Sequence, residues 1–128
     1  MRLLLDTQIY LWSLSDSPRL SAPVRREIEA SEVVYISAAS IWEACIKVSV
    51  GKLRVEASAL VSGIEESGYE ELPVRAAHAA LVASLPPIHK DPFDRILVAQ
   101  AIEEPLVLIT SDSMLGKYSD LVRVVEAG

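Results

Sequence analysis

The sequence predicts an α/β sandwich built on a mostly parallel sheet. Two observations predict it. Short, mostly apolar runs without polar alternation occur at Arg2–Leu5, Val33–Ile36 and Leu106–Thr110, as in strands covered on both faces. Stretches with helical periodicity and cap residues separate them. In such sheets the crossovers are right-handed, and ligands bind beyond the carboxyl ends of the strands.

The elements follow in order. Arg2 to Leu5 reads as a buried strand that stops at Asp6, with a helix after it through Ile9, Tyr10, Leu11 and Trp12. Ser21 caps a second helix, with Pro23 in its first turn and Val24 and Ile28 facing inward. Val33 to Ile36 is a β-branched strand. Ser37 or Ser40 opens a helix that runs to about Val50 and ends at Gly51. Ala57 to Glu66 forms another helix, ended by Gly68. Tyr69 to Leu72 reads as a short edge strand limited by Pro73. Ala76 to Leu85 is Ala-rich and helical, and Pro86 and Pro87 break it. Asp91 caps a helix with Pro92 at its first position, running to about Ile102. Leu106 to Thr110 is the most hydrophobic strand; Ser111, Asp112 and a short helix come next, and Val122 to Val125 is the last strand. No repeat, low-complexity tract or linker interrupts residues 1–128, which are expected to form a single domain.

Composition narrows the function classes. Apolar residues make up 51% and charged residues 23%, enough to build a core. No apolar run approaches the roughly 18–20 residues of a membrane span. Asp6 interrupts the N-terminal apolar stretch, so no secretory signal is read there and a cytoplasmic location is expected. Cys45 is the sole cysteine, which excludes an internal disulfide and a cysteine-based zinc site; it reads as a small buried hydrophobe. A thiol nucleophile would need a histidine, and neither His78 nor His89 lies in a nucleophile signature. The net charge is −6, whereas proteins that grip nucleic acid by charge alone are usually basic. A nucleic-acid function therefore requires a bound cation that inverts the local field.

Four acids fit that requirement. Asp6 and Asp112 follow strand ends, where each also suits a helix N-cap. Glu43 lies in mid-helix on the stripe of Ala39, Ile46 and Val50, where a carboxylate is costly to bury unless paired or metal-bound; an exposed ion pair with Lys47 is the plainer alternative. Asp94 opens a helix whose stripe continues through Val98 and Ala101, and it would also favour the helix N-terminus. Asp91 is the cap, with a supporting or substitute ligand role as its other reading. Mg²⁺ and Mn²⁺ prefer oxygen ligands, and a carboxylate set without His or Cys suits them. Two carboxylates about 4 Å apart repel by roughly 4 kcal/mol at an effective dielectric of 20, a cost that a cation removes.

Four strings carry a resemblance. LLLDT (Leu3 to Thr7), SIWEACIKVSVGKL (Ser40 to Leu53), HKDPFDRILVAQA (His89 to Ala101) and LVLITSD (Leu106 to Asp112) together resemble the acidic motifs of the PIN domain, and the two longest are similar to those of VapC-type toxins. The resemblance spans nearly the whole chain. It implies a three-layer α/β/α sandwich with a central parallel sheet. It implies that Asp6, Glu43 and Asp94 bind one or two Mg²⁺ or Mn²⁺ ions, that Asp112 completes the cluster directly or through water, and that Thr7 and Thr110 orient ligands or water. The implied activity is hydrolysis of RNA phosphodiesters by a water activated at the metal, as the toxin of a toxin–antitoxin pair. An antitoxin that lays a C-terminal segment across the site, and a homodimer, are the implied partners. Gln8 and Ser111 stand where related toxins often carry His and Arg; neither change removes a ligand. Lys47, Lys52, Lys90 and Arg95 are the nearest candidates for phosphate contacts. Tyr10 and Trp12 mark either a contact patch or core.

Two rivals remain. A phosphoacceptor domain of similar shape needs an acid pair after the first strand, but Thr7 and Gln8 follow Asp6. A non-catalytic PIN-like module that binds RNA or an antitoxin would not need all four acids.

Overall fold

The first strand, β1 (Arg2–Leu5), shows why the sheet is a middle layer. Side chains alternate across a strand. Leu3 and Leu5 enter one core with Ile9, Tyr10, Val24, Ile28 and Ile64, while Leu4 enters a second core with Leu97, Val98, Leu108 and Leu115. The computed structural model describes residues 1–128. The other strands are β2 (Val33–Ser37), β3 (Glu70–Leu72), β4 (Val107–Thr110) and β5 (Val122–Val124). The helices are α1 (Thr7–Leu14), α2 (Ala22–Ala30), α3 (Ala38–Ser49), α4 (Ala57–Glu66), α5 (Ala76–Leu81) and α6 (Pro92–Glu103). The five strands form one sheet in the order β3-β2-β1-β4-β5, and every pairing is parallel. Helices α1, α2 and α4 supply the first core and α6 the second, giving the expected three-layer α/β/α sandwich.

Local signals set most boundaries. Ser21 Oγ accepts from Val24 N at the start of α2, and Asp91 Oδ1 accepts from Phe93 N at the start of α6. Gly51 and Gly68 end α3 and the α4 turn with φ of 77° and 78°, a left-handed conformation that glycine takes without steric cost.

Some expectations change. The Ala-rich segment is α-helical only to Leu81; Val82–Ser84 tightens into a 3₁₀ turn. Leu85 precedes Pro86 and is held extended, at ψ 138°, so the α-helix cannot run into it. Ile46 and Val50 are exposed at 41% and 61%, so the stripe through Glu43 is buried only at its Ala39 end, and the buried residues of α3 are Ala39, Ser40 and Ala44. The reason is position: α3 packs against α1, α4 and α6 and not flat on the sheet. Tyr10 is core, its hydroxyl donating to the Leu60 carbonyl at 2.7 Å, and Trp12 packs on the same cluster. The exposed aromatic is Trp42. Cys45 is a free thiol, half-buried on α3. No helix is long and apolar enough to cross a membrane.

Leu108 is fully buried in the second core. Leu108→Ala is expected to cost about 2–5 kcal/mol of stability, read as a lowered urea midpoint in metal-free buffer.

Candidate metal centre

Strand order places a crevice where the chain changes direction. From β1 it crosses to β2 on one side, and later returns to β4 on the other. The carboxyl ends of β1 and β4 therefore lie side by side, at the usual ligand position in parallel sheets. Asp6 directly follows β1, and Asp112 lies two residues past β4. α3 starts from the end of β2 and contributes Glu43; α6 contributes Asp94 from its first turn.

Each carboxyl has defined partners. Asp6 is 6% exposed. One of its oxygens caps α1, accepting from Ile9 N at 2.8 Å; the other accepts from Thr110 Oγ1 at 2.5 Å. Thr110 Oγ1 also accepts from Asp112 N at 3.0 Å, linking the two strand-end acids through one hydroxyl. Thr7 Oγ1 donates to Glu43 Oε1 at 2.6 Å, and Lys47 Nζ lies 3.8 Å from Glu43 Oε2. Glu43 thus has both the site contact and the ion pair. Asp91 Oδ1 accepts from Phe93 N and Asp94 N, which is a cap. Asp112 Oδ1 accepts from Met114 N at 2.9 Å.

Charge couples the group. Burial pushes Asp6 up to about 6, against the hydrogen bonds from Thr110 and Ile9, and the charges of Glu43 and Asp112 add to the rise. Burial likewise pushes Asp94 up to about 7, with the charges of Asp91, Glu43 and Asp6 adding to it and His89 opposing. No lysine or arginine pairs with Asp6 or Asp94; Lys47 reaches only Glu43. Such a set of oxygen donors, partly dehydrated and mutually repelling, fits a hard divalent cation.

A family model described as PIN domain matches residues 3–121. The chain belongs to the PIN domain family. Solved structures agree on the fold. One is VapBC2 from Rickettsia felis bound to a fragment of promoter DNA, at 17% identity and a TM-score of 0.76, covering 98% of this chain and 100% of that one. DNA-bound VapBC from Salmonella typhimurium matches at 15% identity and a TM-score of 0.68, over 98% and 97% of the two chains. A toxin–antitoxin complex from Klebsiella pneumoniae matches at 18% and 0.67, over 95% and 96%. No curated protein sequence matches.

Two positions in this PIN domain differ from the sequence reading. Arg95 is committed to the fold: its guanidinium donates to the carbonyls of Pro86 and Val82 and to the Tyr118 hydroxyl, so it is not directed at a phosphate. The carboxylate set also contains a histidine. His89 Nε2 lies 2.9 Å from Asp112 Oδ2 and 3.5 Å from Asp94 Oδ2. Its signals in the sequence are its place at the head of the HKDPFDRILVAQA string, two residues before the helix cap; its partner Asp112 is 23 residues away along the chain. Lys52 and Lys90 are exposed, and Gln8 is exposed at the start of α1.

Proposed function

We propose that this PIN domain is a metal-dependent endoribonuclease and the toxin half of a toxin–antitoxin pair, contained in the one domain of residues 1–128. One set of contacts supports the reading: Thr110 Oγ1 joins Asp6 to the backbone of Asp112, ligand atoms of Asp94, Asp112 and His89 lie within 4.8 Å of one another, and the charge of Glu43 acts on both Asp6 and Asp94, while Asp6, the most buried, has no lysine or arginine partner. Asp6, Glu43 and Asp94 would hold one or two Mg²⁺ or Mn²⁺ ions, with Asp112 joining through its remaining lone pairs. Bound there, the cation supplies Lewis-acid stabilisation of the phosphate and makes water easier to deprotonate. The protein's part is positional. Thr110 fixes one Asp6 oxygen, Thr7 fixes one Glu43 oxygen, and the α1 amide at Ile9 holds the other Asp6 oxygen. Lys47, Lys52 and Lys90 are left to meet the RNA backbone.

An antitoxin partner is supported by the VapBC complexes among the structural neighbours and by a groove of about 600 Å³ between α1, α3 and α4, apolar at Leu11, Trp12, Leu53 and Val55 and edged by Lys47 and Lys52. A homodimer is supported by the exposed apolar face beside the site. Trp42 is 65% exposed, stands edge-on to Phe93 at 5.0 Å, and adjoins Ile46 and Val74. Being a cytoplasmic toxin is part of the same reading.

Purified protein is expected to cut an RNA pool in Mn²⁺ and to stop in EDTA. Cleavage that persists in EDTA would contradict the metal reading. RNA that is bound but left intact in Mn²⁺ would point to the non-catalytic module.

A further inference from the structure

His89 is the one imidazole set among the acids, and its surroundings fix how it acts. Its Nδ1 accepts from Asp91 N at 3.0 Å. A backbone amide can only donate, so Nδ1 carries a lone pair and the ring hydrogen sits on Nε2. That hydrogen points at Asp112 Oδ2, 2.9 Å away. Because Nε2 is protonated, it is not free to act as a metal ligand. It holds a carboxylate instead.

The backbone of His89 is also braced. His89 N donates to the Tyr118 hydroxyl at 2.7 Å, and that hydroxyl accepts from Arg95 Nη1 at 3.1 Å. Arg95 is anchored in turn on the carbonyls of Val82 and Pro86. The chain from α6 through Tyr118 to His89 therefore ties the segment before α6 to the turn after β4. The first segment leads into the α6 turn that carries Asp94, and the second carries Asp112.

We propose that His89 is a positioning residue: it donates to Asp112 Oδ2 and so holds Asp112 beside Asp94 in the arrangement that receives the divalent ion. Asp112 needs this help. Its side chain is 35% exposed, and its other oxygen is held only by Met114 N in a short 3₁₀ turn. Without the imidazole, repulsion from Asp94 is relieved by rotation of Asp112 toward solvent. Each oxygen of a carboxylate offers two acceptor sites, so one bond from His89 to Oδ2 and one from Met114 N to Oδ1 still leave acceptor positions for an ion. Groups that orient metal-binding side chains typically change affinity by about 10–100-fold.

The inference rests on the metal-dependent reading above, and the experiment separates the two. Calorimetric titration with Mn²⁺ is run on the wild type and on His89→Ala, His89→Gln and His89→Asn. The carboxamide nitrogen of Gln falls near the imidazole Nε2 position; that of Asn falls near Nδ1 and does not reach Asp112. His89→Ala and His89→Asn are expected to bind Mn²⁺ about 10-fold or more weakly, and His89→Gln to recover most of the loss. Circular dichroism checks that each variant is folded, and an unfolded variant is replaced by His89→Leu at the same position. A wild type that does not bind Mn²⁺ overturns the metal reading and this proposal with it. A wild type that binds, with His89→Ala unchanged or tighter, overturns the role of His89 alone. Equal losses in His89→Gln and His89→Ala overturn it too, because the donated hydrogen would then not be what matters.

Discussion

Asp6→Asn and Asp94→Asn are each expected to lower RNA cleavage by about three orders of magnitude, or roughly 4 kcal/mol of barrier, the scale of the charge stabilisation a metal supplies. The loss should come without unfolding. Asn is as good an N-cap as Asp, so the bond from Ile9 N survives at position 6, and Thr110 Oγ1 can accept from the new amide in place of donating to a carboxylate. Removing a buried charge also relieves the repulsion that lifts the remaining acids. The metal-free Asp6→Asn protein should therefore melt at or above the wild-type temperature at pH 8 while being nearly inactive. Full activity in both variants would rule out the site. A large drop in metal-free melting temperature would mean that the carboxylate is structural.

The second large effect is on stability and depends on pH. In the folded protein burial pushes Asp6 up to about 6 and Asp94 up to about 7, from the ordinary carboxyl value of 3.8. Both shifts are upward, so folding favours the protonated forms. Their contribution to stability is fully present below about pH 4 and is lost as pH rises through 6 and 7. Without metal, these two groups make the fold less stable at pH 8 than at pH 5. Mn²⁺ acts oppositely, because it binds the ionised carboxylates of the folded state. At 100 times its dissociation constant an ion stabilises by about 2.7 kcal/mol, on the order of 10 °C in melting temperature. Differential scanning fluorimetry is expected to show that shift at pH 8 and little of it at pH 5. An equal shift at both values would place the bound ion away from Asp6 and Asp94.

Legibility in the sequence followed the range of the interactions. Boundaries set within three or four residues could be read directly: Ser21 on Val24 N, Asp91 on Phe93 N, Gly51 and Gly68 at helix ends. β1 was equally plain, because a strand covered on both faces has no polar alternation to obscure it. Features that depend on distant partners were not. Whether Ile46 and Val50 face inward depends on α3 leaning on other helices, which periodicity alone does not encode. Arg95 reads as a free cation until its three acceptors are seen, two of them 9 and 13 residues earlier and one 23 residues later. His89 has the same limit. Among the acids, residue type and placement after strands and in helix turns were readable, but Glu43 stayed ambiguous for a physical reason: it contacts Thr7 and Lys47 at once.

The central claim is that the four carboxyls share one hard divalent ion or pair of ions. Anomalous diffraction from a crystal soaked in Mn²⁺ tests it most directly. The account predicts a manganese peak within coordination distance of the Asp6 and Asp94 carboxylates, with Glu43 or Asp112 as a further ligand. Manganese found only elsewhere on the surface, with Asp6 still closed against Thr110 and no peak beside it, would contradict it.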